Sequence, residues 1–364
     1  MKKLIAIMLA LVLSLLFFNA CGTKIAPNPG DDADAAADKL TVGICMPTKE
    51  QTIWTIQGER LTEAFQTAGY ETLIEYAEDD SAKQGMQVEN MITKGVDVLV
   101  IAAVDCASMT DACEKAKAED ILIIADDRLI TNTEAVDYYV TFDLVRMGEI
   151  QGQYIVDTLN LENQDGPFTL EIFSGSQDDT NAVSFYNGAM NILKPYIESG
   201  KLVVKSGQVD YTATAIQSWD SSKAQARMDN LLSGFYADGH LDAVLVAADC
   251  LAVGVISSLE SMGYGSGDVE FPIVTGQDAE LAAVKNILAG KQSMTVFLDA
   301  NKLAEIIVPL VDSLVAGKEV EADTTYNNGA FKVPTKTYDP YLIDKDNVDY
   351  LIDVGFYTDA EING

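Results

Sequence analysis

This chain has little histidine, cysteine, tryptophan and positive charge, and each shortage argues against a class of function. Of its 364 residues, one is histidine, five are cysteine and two are tryptophan. The single His240 follows a glycine in a predicted surface turn, which argues against a Ser/His triad and against a histidine-ligated metal centre. No cysteine has the spacing of a zinc site. We therefore expect no cofactor, assign no metal ligands, and interpret four cysteines as small buried or half-buried residues: Cys45, Cys106, Cys113 and Cys250.

Basic residues are also scarce, since 24 lysines and arginines stand against 56 acidic residues and give a formal net charge of −32. Such a chain would be repelled by phosphates, so nucleic acid is excluded as a partner. Bulk charge mainly concerns solubility and encounter, and it does not select a ligand. An acidic surface that docks on a basic partner and a merely solvated exterior both remain open.

The N-terminus carries a processing signal. Residues 1–20 combine two lysines, an apolar stretch and a final small residue, which is typical of a secretory leader rather than of a spanning helix. Ala20 followed by Cys21 resembles a bacterial lipoprotein cleavage site, so we expect lipid on Cys21; a plain secretory peptide is the alternative. Residues 21–39 predict a flexible tether. The expected location is extracytoplasmic, with the membrane reached only through the lipid.

What the chain has in quantity is short apolar runs that stop at a polar residue and are separated by helical-looking stretches. Eight such runs occupy residues 41–48, 72–80, 97–105, 121–128, 168–179, 202–210, 242–249 and 271–278. This pattern is typical of parallel strands that helices cover on both faces. Ligands of such sheets bind outside the carboxyl ends of the strands. The residues that end the runs are therefore the candidate site.

The order of these elements predicts two similar α/β lobes, each a doubly wound parallel sheet, beginning near Leu40. A chain of this length is expected to form two domains. The segments DVLVIAAVDC and DAVLVAADC, which end at Cys106 and Cys250, resemble each other. Duplication and convergence are both open, because any buried strand that ends at a helix-capping Asp has this pattern.

Segments along nearly the whole chain after the leader, among them VENMITKG, DRLI, GPFTLEIFSGSQDDTNA and WDSSKAQARMDNLLS, resemble the sugar-binding branch of the periplasmic binding protein type I family. The resemblance implies a non-enzymatic, monomeric receptor that closes two lobes on a monosaccharide. Its implied partners are an ABC transporter permease and, in some members, a chemoreceptor or sensor kinase. It also implies three hinge crossings, which divide the chain into 40–144 plus 278–325 and 145–277 plus 326–364.

A sugar needs aromatic rings on its faces and planar polar groups around its edge. We expect the two tryptophans to supply the faces; a structural role at a helix start is the alternative. The resemblance implies hydroxyl contacts from the strand ends and the loops that follow them. The candidate ligand-binding residues are Lys49, Gln51, Trp54, Asp127, Arg128, Asp179, Asn181, Trp219, Asp249, Gln277 and Asp278.

Some of these residues have competing interpretations. Asp179 suits a helix N-cap equally well, and Asp127 with Arg128 could form a local salt bridge. Asp105 is expected to be mainly a cap. Phe185 stands where related receptors carry an arginine, so that contact is lost or becomes apolar.

Two other functions fit parts of the sequence. A secreted carboxylate-pair glycosidase could use Asp79 with Asp80 or Asp178 with Asp179. A sensor subunit would keep the fold and the sugar site but serve chemotaxis or a membrane kinase. The acidic segment DKDNVD lacks the glycine and terminal glutamate of a calcium loop.

Overall fold

The structure is a computed structural model that describes residues 39–237, 239–267 and 269–364. The predicted leader, the predicted lipidation residue Cys21 and the predicted tether as far as Asp38 lie outside these residues. Within the described ranges, no helix is both long enough and apolar enough to cross a membrane.

The described residues alternate strands with helices, as the apolar runs predict. The strands are β1 (Thr41–Met46), β2 (Glu71–Tyr76), β3 (Val98–Ile101), β4 (Leu122–Asp126), β5 (Tyr138–Phe142), β6 (Phe168–Phe173), β7 (Leu202–Val203), β8 (Ala243–Val246), β9 (Ile273–Val274), β10 (Met294–Phe297), β11 (Thr324–Asn327), β12 (Lys332–Tyr338) and β13 (Tyr341–Asp344). The helices are α1 (Thr52–Thr67), α2 (Ser81–Lys94), α3 (Thr110–Ala118), α4 (Leu144–Thr158), α5 (Thr180–Glu198), α6 (Tyr211–Thr214), α7 (Ser221–Phe235), α8 (Asp249–Ser261), α9 (Leu281–Leu288), α10 (Ala300–Val315), α11 (Tyr350–Asp353) and α12 (Asp359–Asn363).

The N-terminal lobe is built on a seven-stranded sheet in the order β11-β12-β5-β4-β3-β1-β2. All neighbours are parallel except the antiparallel pair β11 and β12. Helices α1 and α10 cover one face, where Trp54, Phe65 and Ile307 belong to one buried cluster. Helices α2 and α3 cover the other face, around Met91 and Met109. Burial on both faces explains why β1, β3 and β4 are almost wholly apolar.

The C-terminal lobe has a smaller parallel sheet in the order β7-β6-β8-β9. Helices α4 and α5 pack against each other, as do α7 and α8. Beyond β9, the backbone N–H of Asp278 donates to the Val296 carbonyl at 2.8 Å, and that of Ser293 donates to the Val274 carbonyl at 2.9 Å. Strand β10 therefore extends the C-terminal sheet beyond β9, and it pairs antiparallel with β13.

The chain crosses between the lobes at Asp143, at Asp299, and between Asp339 and Tyr341. The first crossing lies beside its predicted place, but the second and third predicted crossings were wrong. Strand β10 lies beside β9, which moves the second crossing from residue 278 to Asp299. Strand β12 pairs in parallel with β5, so residues 326–338 belong to the N-terminal sheet rather than to the C-terminal lobe.

Aspartates mark the starts of many helices in this fold. The side chain of the residue before the helix accepts a backbone N–H of the first turn at Asp80, Asp143, Asp179, Asp220 and Asp299. Such a cap satisfies a donor that has no partner within the helix. Because these helices follow the carboxyl ends of strands, the caps gather carboxylates at the rims that face the space between the lobes.

Candidate functional site

A small cavity, with about 30 Å³ of free space, lies between the carboxyl ends of the strands of the two lobes. That space holds only a few water molecules, so a larger ligand requires the walls to move apart. Both lobes contribute to its wall. The lining residues are Gln51, Ile53, Trp54, Asp127, Arg128, Asp179, Phe185, Trp219, Ala248, Cys250, Gln277 and Asp278.

The N-terminal wall is organised around Arg128, which follows β4 and is buried. Its guanidinium lies 5.0 Å from the centre of the Trp54 ring, within the range of a cation–π contact. One terminal nitrogen donates to the Ala103 carbonyl at 3.0 Å. Trp54 in turn donates from its indole N–H to Gln51 Oε1 at 3.0 Å. Contacts within the protein thus orient the aromatic face and the guanidinium plane.

Arg128 also reaches the opposite lobe. Its Nε lies 3.2 Å from Asp179 Oδ2, and both side chains are buried. The other Asp179 oxygen accepts the backbone N–H of Asn181 at 2.8 Å and caps α5. Asp179 therefore fits both interpretations from the sequence, because it caps a helix and also lines the cavity. The Arg128 pair is more than a local one, because it joins the lobes.

Asn181 bridges the lobes as well, although it is not among the residues that line the cavity. Its side-chain amide donates to the Asp127 carbonyl at 2.7 Å and to Asp127 Oδ1 at 3.1 Å. The Tyr139 hydroxyl lies 3.2 Å from Asn181 Oδ1. These contacts orient the Asp127 carboxyl, and they place Asn181 behind that carboxyl.

Burial sets the electrostatics of the cavity. It raises the pKa of the Asp127 carboxyl well above its usual range, although the Arg128 guanidinium opposes the shift. It also raises the pKa of Asp278 to about 6, against a hydrogen bond from Gln277 and the attraction of Arg128. A buried carboxylate gains stability from each hydrogen bond it accepts. Hydroxyl groups of a ligand would supply such bonds at both carboxyls.

Trp219 forms part of the C-terminal wall at the end of a 3₁₀ turn, Gln217–Trp219. Ser218 and Trp219 both have left-handed backbone, with φ of 60° and 53°. The ring rests on Gly175, where an added Cβ would lie 2.1 Å from Trp219 Cη2. The indole Nε1 is buried without a protein partner. The ring and an unused donor therefore stand at the cavity wall.

Gln277 and Asp278 complete the C-terminal wall. Asp278 has a φ of 96° and Ala279 a φ of 49°, so the backbone turns sharply after Gln277. Gln277 Nε2 lies 3.4 Å from Asp278 Oδ1, and Gln277 Oε1 is buried without a partner. The two residues present an amide and a carboxyl side by side, which suits adjacent hydroxyl groups.

Besides Asn181, two further predicted contacts do not line the cavity. The Lys49 ammonium is 4.7 Å from the centre of the Tyr76 ring, and Lys49 is not among the lining residues. Asp249 is fully buried inside the C-terminal lobe, and its carboxyl bonds to Glu280, Gln292 and Thr295. The flanking residues Ala248 and Cys250 line the cavity instead of Asp249.

Two of the acids considered for a glycosidase, Asp80 and Asp178, have local roles. Asp80 caps α2 through the Lys83 N–H at 3.0 Å. Asp178 accepts from Gln217 Nε2 at 2.8 Å. Within the described ranges, no three His, Cys, Asp or Glu side chains form a group that could hold a metal ion.

Some contributors were missed by sequence reasoning. Ile53 and Cys250 line the cavity, and Gly175 seats the Trp219 ring. Cys250 carries a weak signal, because it directly follows the apolar run 242–249. Phe185 lines the cavity, so an apolar side chain stands at this position.

This chain is similar to a known protein family and to several of its members. A family profile described as a periplasmic binding protein domain matches residues 42–319. The multiple sugar-binding periplasmic protein SbpA of Azospirillum brasilense is 49% identical over 334 residues, which is 91% of this chain and 94% of the relative. The multiple sugar-binding periplasmic receptor ChvE of Rhizobium radiobacter is 50% identical over 325 residues, 88% of this chain and 92% of the relative.

Two solved structures of solute-binding proteins are also similar to this chain. An ABC transporter solute-binding protein from Clostridium phytofermentans with bound β-D-glucose has a TM-score of 0.85 and 44% identity, and the match covers 88% of this chain and 99% of that one. A carbohydrate transporter solute-binding protein from Chloroflexus aurantiacus in complex with D-glucose has a TM-score of 0.79 and 34% identity, covering 89% and 98%. With its two α/β lobes and the cavity between them, the chain belongs to the periplasmic binding protein family and has the type I fold.

Proposed function

We propose that this protein captures a monosaccharide between its two lobes and delivers it to an ABC importer. The observation that carries the proposal is the composition of the cavity wall. It combines two tryptophans with carboxyl, amide and guanidinium groups drawn from both lobes. A sugar is a ring of hydroxyls with apolar faces, and this set matches both features. The names of the relatives and the glucose in two similar structures support the same ligand class.

The contacts between the lobes support a mechanism in which the lobes close on the ligand. Arg128 with Asp179, and Asn181 with Asp127, join the two walls directly. A ligand that touches both walls would favour the closed arrangement by adding contacts that the open one lacks. Release to a transporter then requires that the lobes separate and these bonds break. The protein acts as a carrier in this scheme, and it catalyses no reaction.

The ligand is tested by thermal shift and calorimetry on the purified protein. D-glucose, D-galactose, D-xylose and L-arabinose form the panel, and maltose serves as a size control because it is a disaccharide. At least one monosaccharide should raise the melting temperature and bind with a one-to-one stoichiometry. If no member of the panel did so, the ligand class would be wrong. Turnover of glycosides by the protein would instead support an enzyme.

Transport and anchoring complete the proposal. We expect deletion of the gene to abolish high-affinity uptake of the bound sugar; loss of chemotaxis with normal uptake would favour a sensor subunit. We also propose that lipid on Cys21 holds the protein at the outer face of the cell membrane. Replacing Cys21 by alanine should release the protein from the membrane fraction, and an unchanged distribution would contradict the anchor.

A further inference from the structure

Asp249 is a buried carboxyl that lies behind the cavity wall. It is fully buried, and its neighbours Ala248 and Cys250 line the cavity while it does not. Its oxygens accept three hydrogen bonds, from the Glu280 backbone N–H at 2.9 Å, the Thr295 hydroxyl at 2.9 Å and Gln292 Nε2 at 2.7 Å. All three donors come from the segment 280–295.

This pattern differs from helix capping, although Asp249 is the first residue of α8. The N-cap of that helix is Ala248, which has no side-chain cap, and the N–H groups of Leu251 and Ala252 donate to the Ala248 carbonyl. The Asp249 carboxyl makes none of its hydrogen bonds to its own helix. Capping of α8 therefore does not explain why the carboxyl is there.

What Asp249 holds is the loop that carries two cavity residues. Its backbone N–H donates to the Gln277 carbonyl at 2.9 Å, and its Oδ2 accepts from Glu280 at the far end of the loop. Gly276 packs directly on the carboxyl, since a Cβ there would lie 2.0 Å from Asp249 Oδ1. The loop 276–280 is thus bound to Asp249 at both ends.

The loop needs such support because its backbone is strained. Asp278 and Ala279 are consecutive non-glycine residues with left-handed φ of 96° and 49°. Conformations of this kind persist only where surrounding contacts hold them. The Thr295 hydroxyl, which donates to Asp249, also accepts the Ala279 N–H at 3.1 Å. Asp249 and Thr295 therefore form one connected support beneath Asp278.

We propose that Asp249 is a positioning residue for ligand binding: it fixes the loop 276–280 so that Gln277 and Asp278 face the cavity, and it does not touch the ligand. This inference rests on the proposed function, because it assigns a role in sugar binding. It predicts that Asp249 acts on affinity only through the two side chains that it positions.

A double-mutant cycle tests that dependence. Asp249→Ala should weaken binding of the best monosaccharide of the panel by about tenfold, the size of coupling seen between residues in one hydrogen-bond network. In a background where Gln277 and Asp278 are both alanine, Asp249→Ala should cause no further loss. If the losses multiplied instead, Asp249 would act independently of the loop, and the inference would be overturned.

A conservative variant separates positioning from folding. In Asp249→Asn, the remaining oxygen can accept from Glu280 and Thr295, and the new amide can donate to Gln292 Oε1, which has no partner at present, if that amide rotates. We expect Asp249→Asn to retain most of the affinity. If Asp249→Ala fails to fold, Gly276→Ala takes its place in the cycle, because its Cβ would push the loop away from the carboxyl.

The controls keep two failures apart. Asp105→Ala removes the aspartate at the matching strand end of the other lobe, and it should leave affinity unchanged. If the wild type binds no sugar of the panel, the proposed function fails, and this inference fails with it. If the wild type binds and Asp249→Ala or its substitute retains full affinity, only the positioning role is overturned.

Discussion

The two walls of the cavity differ in how their backbones are held. Among the described residues that line the N-terminal wall, only Asp127 has a left-handed φ, of 60°. On the C-terminal wall, Trp219 and Asp278 both have left-handed φ, and each has a left-handed neighbour, Ser218 or Ala279. Non-glycine residues in this region cost about 1–3 kcal/mol each. The C-terminal wall must therefore be held in place by contacts from outside the cavity.

The source of those contacts differs as well. The N-terminal wall is fixed by bonds among its own lining residues and nearby carbonyls, as Trp54 with Gln51 and Arg128 with Ala103 show. The C-terminal wall rests on residues that do not line the cavity, such as Gly175 and Asp249. Changes inside the N-terminal wall should therefore act directly on the ligand, whereas the C-terminal wall should also be sensitive to changes behind it.

The largest effect is expected at Arg128, the cation that joins the walls. Arg128→Ala leaves the Asp179 carboxyl buried without its partner and removes the guanidinium from the Trp54 ring. Removing one member of a buried pair costs about 3–5 kcal/mol. We expect sugar affinity to fall by about a thousandfold, measured by calorimetry.

The matched control for that change is Arg146→Ala. Arg146 is exposed and pairs with Glu149 three residues later on α4. Exposed pairs contribute about 0–1 kcal/mol, so affinity and melting temperature should hardly change. A loss of less than tenfold for Arg128→Ala would contradict the view that this residue couples the walls.

The second effect tests the support behind Trp219. A Cβ in Gly175→Ala would lie 2.1 Å from Trp219 Cη2, so the ring or the backbone beneath it must shift. Overpacking of this kind typically costs about 1–3 kcal/mol. We expect affinity to fall by about thirtyfold, with a native circular dichroism spectrum. Replacing Trp219 itself by alanine should weaken binding by more than about tenfold without unfolding the protein.

Gly85→Ala is the control for this change. Gly85 lies in α2 with open space around its Cα, and alanine there should leave binding unchanged. In a Trp219→Ala background, Gly175→Ala should lose most of its effect on affinity, because the clashing ring is gone. An equal loss in both backgrounds would show that Gly175 does not act through the tryptophan.

A third, smaller effect concerns the charge on the strained loop. Burial raises the pKa of Asp278 to about 6 in the folded protein. Such an acid contributes stability that is complete below its unfolded pKa near 4 and is lost as the pH rises through about 6. Asp278→Asn removes this dependence. The variant should therefore gain about 2 kcal/mol in free energy of unfolding relative to wild type between pH 4 and pH 7.5.

Urea unfolding of both ligand-free proteins at the two pH values measures that gain. The comparison is made within each pH, so that the many other carboxyls of the chain titrate equally in both proteins. Parallel curves, with a constant difference between the proteins, would mean that Asp278 is solvated rather than buried at the wall. Sugar affinity of the variant should fall at both pH values, since an amide replaces a carboxyl acceptor.

Much of the fold and part of the site followed from the sequence. Strands β1, β3, β4 and β8 are buried on both faces, so their apolar runs identify them and locate the residues at their ends. Asp127, which follows β4, could be located in this way, and the apolar run 271–278 located Asp278. The last hinge crossing could not, because β12 reads KVPTKTY, with polar residues and a proline, and joins the sheet only through its pairing with β5.

The sequence also could not predict in which direction the side chain at a strand end points. Asp249 and Asp105 follow nearly identical runs, yet one faces a loop that lies about thirty residues further along the chain and the other faces its own backbone. Nothing local to either run records the position of that loop. The packing of the Trp219 ring on Gly175 is likewise a contact between distant segments. A single glycine in the sequence does not predict such a contact.

The smallest effect is expected at Asp105, where the two lobes can be compared residue for residue. Asp105 Oδ1 accepts the backbone N–H groups of Ala107 at 2.9 Å and Ser108 at 2.8 Å, and the carboxyl has no role at the cavity wall. The expectation that Asp105 caps a helix was wrong, because the N-cap of α3 is Met109 and Asp105 bonds to the turn before that helix. Asp105→Ala should lower the free energy of unfolding by about 1 kcal/mol through the lost hydrogen bonds, and leave sugar affinity unchanged. Asp105→Asn, which keeps an acceptor oxygen, should restore the stability. A tenfold loss of affinity in the alanine variant would mean that the matching strand ends of the two lobes act alike, and that the C-terminal wall is not special in its dependence on residues behind it.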